Sequence, residues 1–521
     1  MPRKPEEYTN LHFPFGGVSE HDAYSRQWDG TCVDARNVRG YDPATGRLRG
    51  GQRAGHSKYV STGLGAAVQH LQQIALSVAY AGSGASSRSI TALAVAGGTV
   101  KTFTSSSVST PTGGSSALSS TFPWIDSAVN LGVVYFVDGA NSKKYTASTN
   151  TVAAWTASAP GSLPSNGANL PRLICTWRGR IVLSGLVGDE QNWFMSAVGN
   201  ALDWDYGPDP TTMTQAVAGN NAAAGKCPDI INALIPYSDD LLVFGGDHTI
   251  YQMTGDPAAG GSIDLVSDVA GMAFGKAWCK DPRGAIFFFG SRGGLYVYAP
   301  GQGVEKLSSK KIDERLSQIN LSTTVVKLAW DDRQQYVLIY CTPVAGGSTT
   351  HYVYDLRSNA FWMDSFTDTD HSPLSVLSFD GDDPDDRCTI LGCLDGHVRK
   401  VDTAAKSDDG EAIDSYVWLG PFQGSAGQIK LRETRIALGG DSGPVSVDIH
   451  RGDSPESAFQ SKAFNSFGVV AGNEIARSVG GVGQAIYLKL SNSCAGQSWA
   501  YENGQVRIEA SGSPSGRRVM R

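Results

Sequence analysis

Six cationic side chains, Arg36, Arg39, Arg47, Arg49, Arg53 and Lys58, fall within CVDARNVRGYDPATGRLRGGQRAGHSKY, the densest basic region of the chain. Guanidinium groups at this density among glycine-rich turns suit a phosphate backbone or an acidic protein surface. No aromatic ladder interleaves them, so base stacking is not indicated, and the competing reading is a solvated or subunit-facing loop. Five aspartates crowd FDGDDPDD at 379–386, between Asp380 and Asp386, where a hard cation such as calcium would be the natural ligand. The glycine stands third and no glutamate follows at the twelfth position, which departs from an EF-hand loop and favours a solvated acidic hairpin.

Other candidates carry less. His248 in GDHTIYQM and His397 in DGHVRKV follow turn glycines, with no partner specified by the sequence. The tripeptide RGD at 451–453 arises easily by chance and is given no function. GGTVKT and GLVGD lack the GxxxxGK[ST] spacing that lets backbone amides cradle a phosphate. A GxSxG elbow, an HExxH helix, a compact carboxylate pair and the SxDxGxTW boxes of propeller glycosidases are all missing, so no catalytic residue, cofactor or metal ligand is assigned and the chain is expected not to be an enzyme. Aromatics with acidic neighbours in FPWIDS, DWDYG and AFWMDSF suit carbohydrate platforms and protein interfaces alike. Trp204 and Tyr206, just ahead of GPDP, join Arg36, Arg39, Arg47, Arg49 and Arg53 as candidate subunit-interface residues.

The elements that must position these residues are strands. Hydrophobic residues make up 41% of the 521 and charged ones 18%, while 62 Gly and 23 Pro supply turns and oppose long helices. A net charge of -7 is not the footprint of a nucleic-acid-binding domain. The first thirty residues lack a secretory signal pattern and no apolar run is long enough for a membrane helix, so a soluble chain made in the cytoplasm is expected. Eight cysteines are scattered without a CxxC pair, and Cys341, Cys388 and Cys393 lie in apolar strand-like runs where reduced, buried thiols are expected.

Between residues 59 and 402, LAVAGGTVKTF, VVYFVDGANSKKY, LLVFGGDHTIYQM, IFFFGSRGGLYVY and TILGCLDGHVRKV repeat one plan of apolar strand, tight turn and alternating strand. With Gly98, Gly139, Gly246, Gly293 and Gly396 as markers the gaps are 41, 107, 47 and 103 residues. Each double-length gap holds a further unit, TWRGRIVLSGL with NWFMSAV and AWDDRQQYVLIYC with HYVYDLRSNAFW, which makes seven. The fold class predicted is all-β: a β-propeller of about seven blades, six or eight being the alternatives, because radial closure buries both faces of such hairpins. Unrelated β-sandwiches are the competing architecture. After Asp402 a polar linker leads into IKLRETRIAL, PVSVDIHRG and QAIYLKLSN, whose period of two predicts a separate C-terminal β-sandwich over 403–521, with the basic tail SGSPSGRRVMR at its end. Residues 1–58 form an N-terminal segment.

CVDARNVRGYDPATGRLRGGQRAG, RIVLSG, NWFMSAVGNALDWDYG, LLVFGGDHTIYQMTGD and the closing GRRVMR together resemble the tail nozzle proteins (tail tubular protein B) and the related tail hub and packaged-DNA-stabilisation proteins of short-tailed bacteriophages. The likeness is one of pattern across nearly the whole chain. It implies a structural virion protein in a homo-oligomeric ring, commonly six copies, below the portal and adaptor, which retains packaged DNA and lets it pass through a central channel without sequence-specific binding. It also implies a propeller beside a platform formed by the chain ends. A carbohydrate-binding or glycan-hydrolysing propeller is the alternative.

Overall fold

The computed structural model describes residues 8–28, 30–78, 87–121, 123–207, 212–381, 383–424, 427–472, 475–477 and 481–511. The basic tail beyond Ser511, Phe122 of FPWIDS, Asp382 of the acidic segment and Pro208–Pro210 lie outside them.

The protein is all-β and propeller-like. Among the described residues, seven four-stranded antiparallel sheets follow one another along the chain. The first starts at strand Val68–Val78 and the next five at Asp126–Asn130, Leu173–Trp177, Ile231–Ser238, Trp278–Lys280 and Thr324–Asp331; the seventh starts at Pro373–Asp380. In the first six sheets the four strands pair in chain order. The seventh takes three strands from 373–402 and its fourth, Gly55–Lys58, from the other end of the chain, with Arg399 opposite Lys58 and Asp402 opposite Gly55.

The apolar runs follow from this stacking, because a middle strand is covered on both faces and its successive side chains serve different neighbours. In Arg180–Leu186, Ile181 and Leu183 pack with Tyr135 and Val137 of the second sheet, whereas Val182 packs with Leu242 and Phe244 of the fourth. Ile74 and Val95 join Val134 and Phe136 in the same way, and Ile235 and Val243 join Ile286 and Phe288. Phe287 and Leu295 meet Val337 and Ile339, which share a cluster with Leu391 of the seventh sheet. Ile390 and Val398 then meet Leu71 and Ala94 of the first. Every sheet therefore packs on the next and the last packs on the first.

The hairpins repeated in the sequence are the middle pairs of these sheets, as in Val133–Val137 with Ser142–Thr146. The innermost strands, more polar and facing the axis, are not picked out by that pattern.

Two further sheets of five strands carry the C-terminal sequence. One orders Thr9–Asn10, Tyr501–Ala510 and Ile429–Leu438, to which Ile475–Arg477 and Gly481–Gly483 both pair. The other orders Ala35–Arg36, Ser415–Gln423, Ala485–Asn492, Val445–Gly452 and Asn465–Val469. Leu431, Ile436 and Val506 from the first share one apolar cluster with Val417, Val447 and Leu488 from the second. The N-terminal segment is thus woven into all of this rather than standing apart. Phe13 lies 6.0 Å, ring to ring, from both Trp362 and Tyr501, and Gly50 lets it in: a Cβ there would stand 2.4 Å from the Phe13 ring. No helix among the described residues is long and apolar enough to cross a membrane.

Candidate functional site

The basic N-terminal stretch is largely spent inside its own chain. Arg39 grips Asp364 through Nη1 and Nη2 at 2.8 and 2.5 Å and lies over the ring of Tyr336. Arg53 grips Asp408 in the same bidentate manner, Arg49 bonds to Asp42 and Glu502, and Lys58 stands 3.3 Å from Asp409. Two charge-assisted bonds per pair let such side chains leave water. Burial alone would raise the Asp364 carboxyl, but the charges of Arg39 and Arg53 hold it below the usual range. Arg36 stacks over Tyr416, and only Arg47 of the five arginines is exposed. Buried within the chain, Arg39 and Arg53 offer no cation to a nucleic acid or to a neighbouring copy.

Trp204 is 1% exposed, packs on Trp155 and donates its indole N–H to Ala201 O at 2.9 Å, so it too presents no surface. Tyr206 is half-buried beside Phe194. In the acidic segment Asp383 accepts from the Asp385 amide at 3.0 Å and caps a short helical turn, Pro384–Asp386. Among the described residues no three His, Cys, Asp or Glu side chains are grouped to hold a metal. His248 is exposed beside Asp247, His397 Nδ1 lies 3.1 Å from Asp395, and Arg451 of the RGD tripeptide stacks on Phe464. Cys341 and Cys393 are buried free thiols and Cys388 is half-buried.

The polar constellation missed by the motif search lies on the axis of the seven sheets, assembled from their innermost strands. Two adjoining cavities of about 240 and 270 Å³ share Lys276 and Trp278. Lys276, two residues ahead of strand Trp278–Lys280 of the fifth sheet, places Nζ 3.4 Å from Asp126 Oδ1 of the second sheet. Asp126 also accepts from the amides of Ser127 at 2.9 Å and Ile174 at 3.1 Å. Ser127 Oγ donates to Gln72 at 3.0 Å and lies 2.7 Å from His70 Nε2. Burial, with Lys276 and Lys327 nearby, pushes His70 well down, which leaves its ring neutral. Lys327 is only 6% exposed and lines the smaller cavity; burial pushes its ammonium down to about 8.

A wider cavity of about 420 Å³ opens at one end of the axis, lined by Trp124, Asp138, Asn169, Arg172, Phe274 and Leu321 among others. Trp124 meets Phe274 edge-on at 6.4 Å, and the Arg172 guanidinium lies 4.8 Å over the same ring while donating to Gly185 O. These residues sit in turns between strands of different sheets, so no local spacing joins them.

No family model and no curated protein matches the chain. Among solved structures it is similar to the extracellular domain assigned to a hybrid two component system of B. thetaiotaomicron (12% identity, TM-score 0.42, covering 75% of this chain and 45% of that one). It is also similar to BBS1N in complex with ARL6DN (7% identity, TM-score 0.37, covering 68% and 98%). An exo-β-1,3-galactanase of Phanerochaete chrysosporium matches at 8% identity and TM-score 0.25, covering 68% and 98%. The chain spans less than half the length of the first of these.

Proposed function

We propose that this protein is a non-enzymatic structural subunit of a short-tailed bacteriophage tail, a nozzle or hub protein that self-associates into a ring. Its seven four-stranded sheets are the blades of one closed propeller over about 55–402, and the two five-stranded sheets are a sandwich or platform domain built from 403–511 and the chain ends. The observation that carries this reading is the weaving of the N-terminal segment into the body. Residues 55–58 complete the last blade, residues 9–10 and 35–36 extend the platform sheets, and Arg39–Asp364 and Arg53–Asp408 clamp the seam. An N-terminal segment tied in at these points holds the sheets of both regions together, which suits a conduit under internal pressure. In the ring, copies bind each other and the adaptor or portal, and genomic DNA passes through the common channel without sequence-specific contacts. An acidic total and arginines spent internally fit weak phosphate grip.

The test is assembly. Light scattering and electron microscopy of the purified protein, alone and with adaptor or portal rings, should reveal closed oligomers. Monomers under all those conditions sink the reading. A second reading, a glycan-binding or glycan-hydrolysing propeller, is favoured by the mouth where Trp124 and Phe274 offer ring faces beside Arg172. A glycan array with a glycosidase screen is positive for that reading and blank for the first.

A further inference from the structure

We propose that the axial cavity is a binding site for an oxyanion, phosphate-like or carboxylate, held by Lys327 and Lys276 and reached through the Trp124–Phe274 mouth. Lys276 and Lys327 face the cavity with one carboxylate, Asp126, between them, and His70 is neutral there. Asp126 already accepts from two backbone amides besides facing Lys276. Lys327 is buried and makes no direct hydrogen bond or close ion pair among the described residues, and the charge of Asp126 is what favours its ammonium. With one carboxylate shared between two ammonium groups, a lysine so poorly hydrated is met by an anion or by loss of its proton. The cavity offers room for the anion. It also offers a neutral donor in the indole N–H of Trp278, which lines it.

The path is equally specific. A Cβ on Gly275 would stand 3.8 Å from Trp124 and 3.9 Å from Lys327 Nζ, so this ammonium lies one glycine away from the floor of the mouth. At the rim the Arg172 guanidinium, stacked on Phe274 and under the charge of Glu190, makes no hydrogen bond through its terminal nitrogens among the described residues and places a further cation beside the entry. The mouth mixes the apolar and aromatic faces of Trp124, Phe274, Val187 and Leu321 with Asn169, Thr324 and Asp138, whose carboxylate accepts from the Ser119, Ala140 and Asn141 amides; the aromatic faces suit the planar body of an organic acid or phosphate ester whose anionic group enters the axis. A free inorganic anion would use the lysines alone.

Inorganic phosphate and phenyl phosphate, titrated at constant ionic strength, separate the two sources. Calorimetry and thermal melting of the full chain should report saturable binding that weakens at least tenfold in Lys327→Met. Phenyl phosphate binding more tightly than phosphate, with the difference lost in Phe274→Ala, assigns an organic ligand, and equal affinities assign the inorganic anion. Should Lys327→Met fail to fold, as judged by circular dichroism without anion, Lys276→Gln replaces it with the same expectation. The proposal is overturned if neither anion binds the wild type at tens of millimolar, or if it binds the wild type and the lysine variant equally. Assembly state is measured separately, so failure here leaves the structural role standing.

Discussion

Arg53 holds Asp408 by two parallel bonds, Nη1 to Oδ1 at 2.9 Å and Nη2 to Oδ2 at 2.6 Å, between residues 355 positions apart, and both side chains are buried. His56 Nδ1 stands 2.9 Å from the same carboxylate. Burial alone would raise the Asp408 carboxyl; Arg53 and His56 instead keep it well below the usual range. Removing the cation strands a charge in the seam between the N-terminal segment and the residues that follow the seventh sheet. Arg53→Met should therefore cost about 3–5 kcal/mol. The double variant Arg53→Met, Asp408→Leu should regain most of that loss in urea denaturation. A single variant as stable as wild type would mean that the pair does not clamp the seam.

His351 sets a second expectation, in pH. Its ring is buried among Tyr340 and Phe366, and Nδ1 accepts from the Cys341 amide at 3.1 Å. Burial lowers its pKa to about 3, against the opposing pull of Asp364. An unfolded histidine titrates near 6.5. Between these values the unfolded chain binds a proton that the folded chain refuses, so stability falls as pH drops through about 6.5. One such ring contributes a slope of about 1.4 kcal/mol per pH unit at most, and His70 acts in the same direction. The depressed carboxyls of Asp364 and Asp408 act lower, their contribution being lost only as pH falls below about 4. Denaturation between pH 7.5 and 5 should show the slope in wild type and a shallower one in His351→Phe. A flat wild-type profile across that window would remove the argument.

What the sequence made legible follows from which faces are dry. Strand Arg180–Leu186 reads as an unbroken apolar run because Ile181 and Val182 point into different neighbouring sheets. Such runs marked the middle hairpins and their number. The innermost strands escaped because they face a polar axis, where His70, Gln72, Ser127 and Lys327 break any alternation. The arginines of the N-terminal stretch were visible as cations. Their carboxylates, Asp364 and Asp408, lie more than 300 residues downstream, so the stretch looked like an open basic patch. Closure by Gly55–Lys58 is likewise non-local: GHSK carries no pattern that announces a strand.

That closing strand is sensitive to one atom. A Cβ on Gly55 would stand 2.1 Å from Ser407 O and 3.0 Å from Ala405 O, both backbone atoms. Gly55→Ala should push the strand off the last blade, at a cost of about 1–3 kcal/mol. Thermal melting with limited proteolysis reads the result, and cleavage should appear first around residues 55–58 and 398–409. An unchanged melting curve would show that the strand is not needed to close the ring.

Trp204 separates packing from assembly. It fills the space beside Trp155 in the interior shared by the second and third sheets. Trp204→Ala should lower stability by about 3–5 kcal/mol, the range for a deleted buried indole. Folded protein below its melting temperature should keep the wild-type oligomeric state by analytical ultracentrifugation. Loss of assembly without loss of stability would place this residue at a contact after all.

Trp28 gives the converse expectation. It is 70% exposed, and among the described residues its backbone carbonyl alone is engaged, accepting from Thr31 Oγ1 at 2.8 Å and from the Thr31 amide at 3.0 Å. An indole left in water adds little to folding, so Trp28→Ser should change stability by no more than about 0.5 kcal/mol. Central tryptophans of protein contacts, by contrast, cost about 2 kcal/mol or more when truncated, close to a thirtyfold loss of affinity. If the ring is built through this part of the N-terminal segment, mass photometry across a dilution series should show the variant dissociating at about thirtyfold higher concentration than wild type. Equal dissociation of both proteins would move the contact elsewhere, to surfaces such as the outer strand Ser262–Ser267, where Leu265 is exposed.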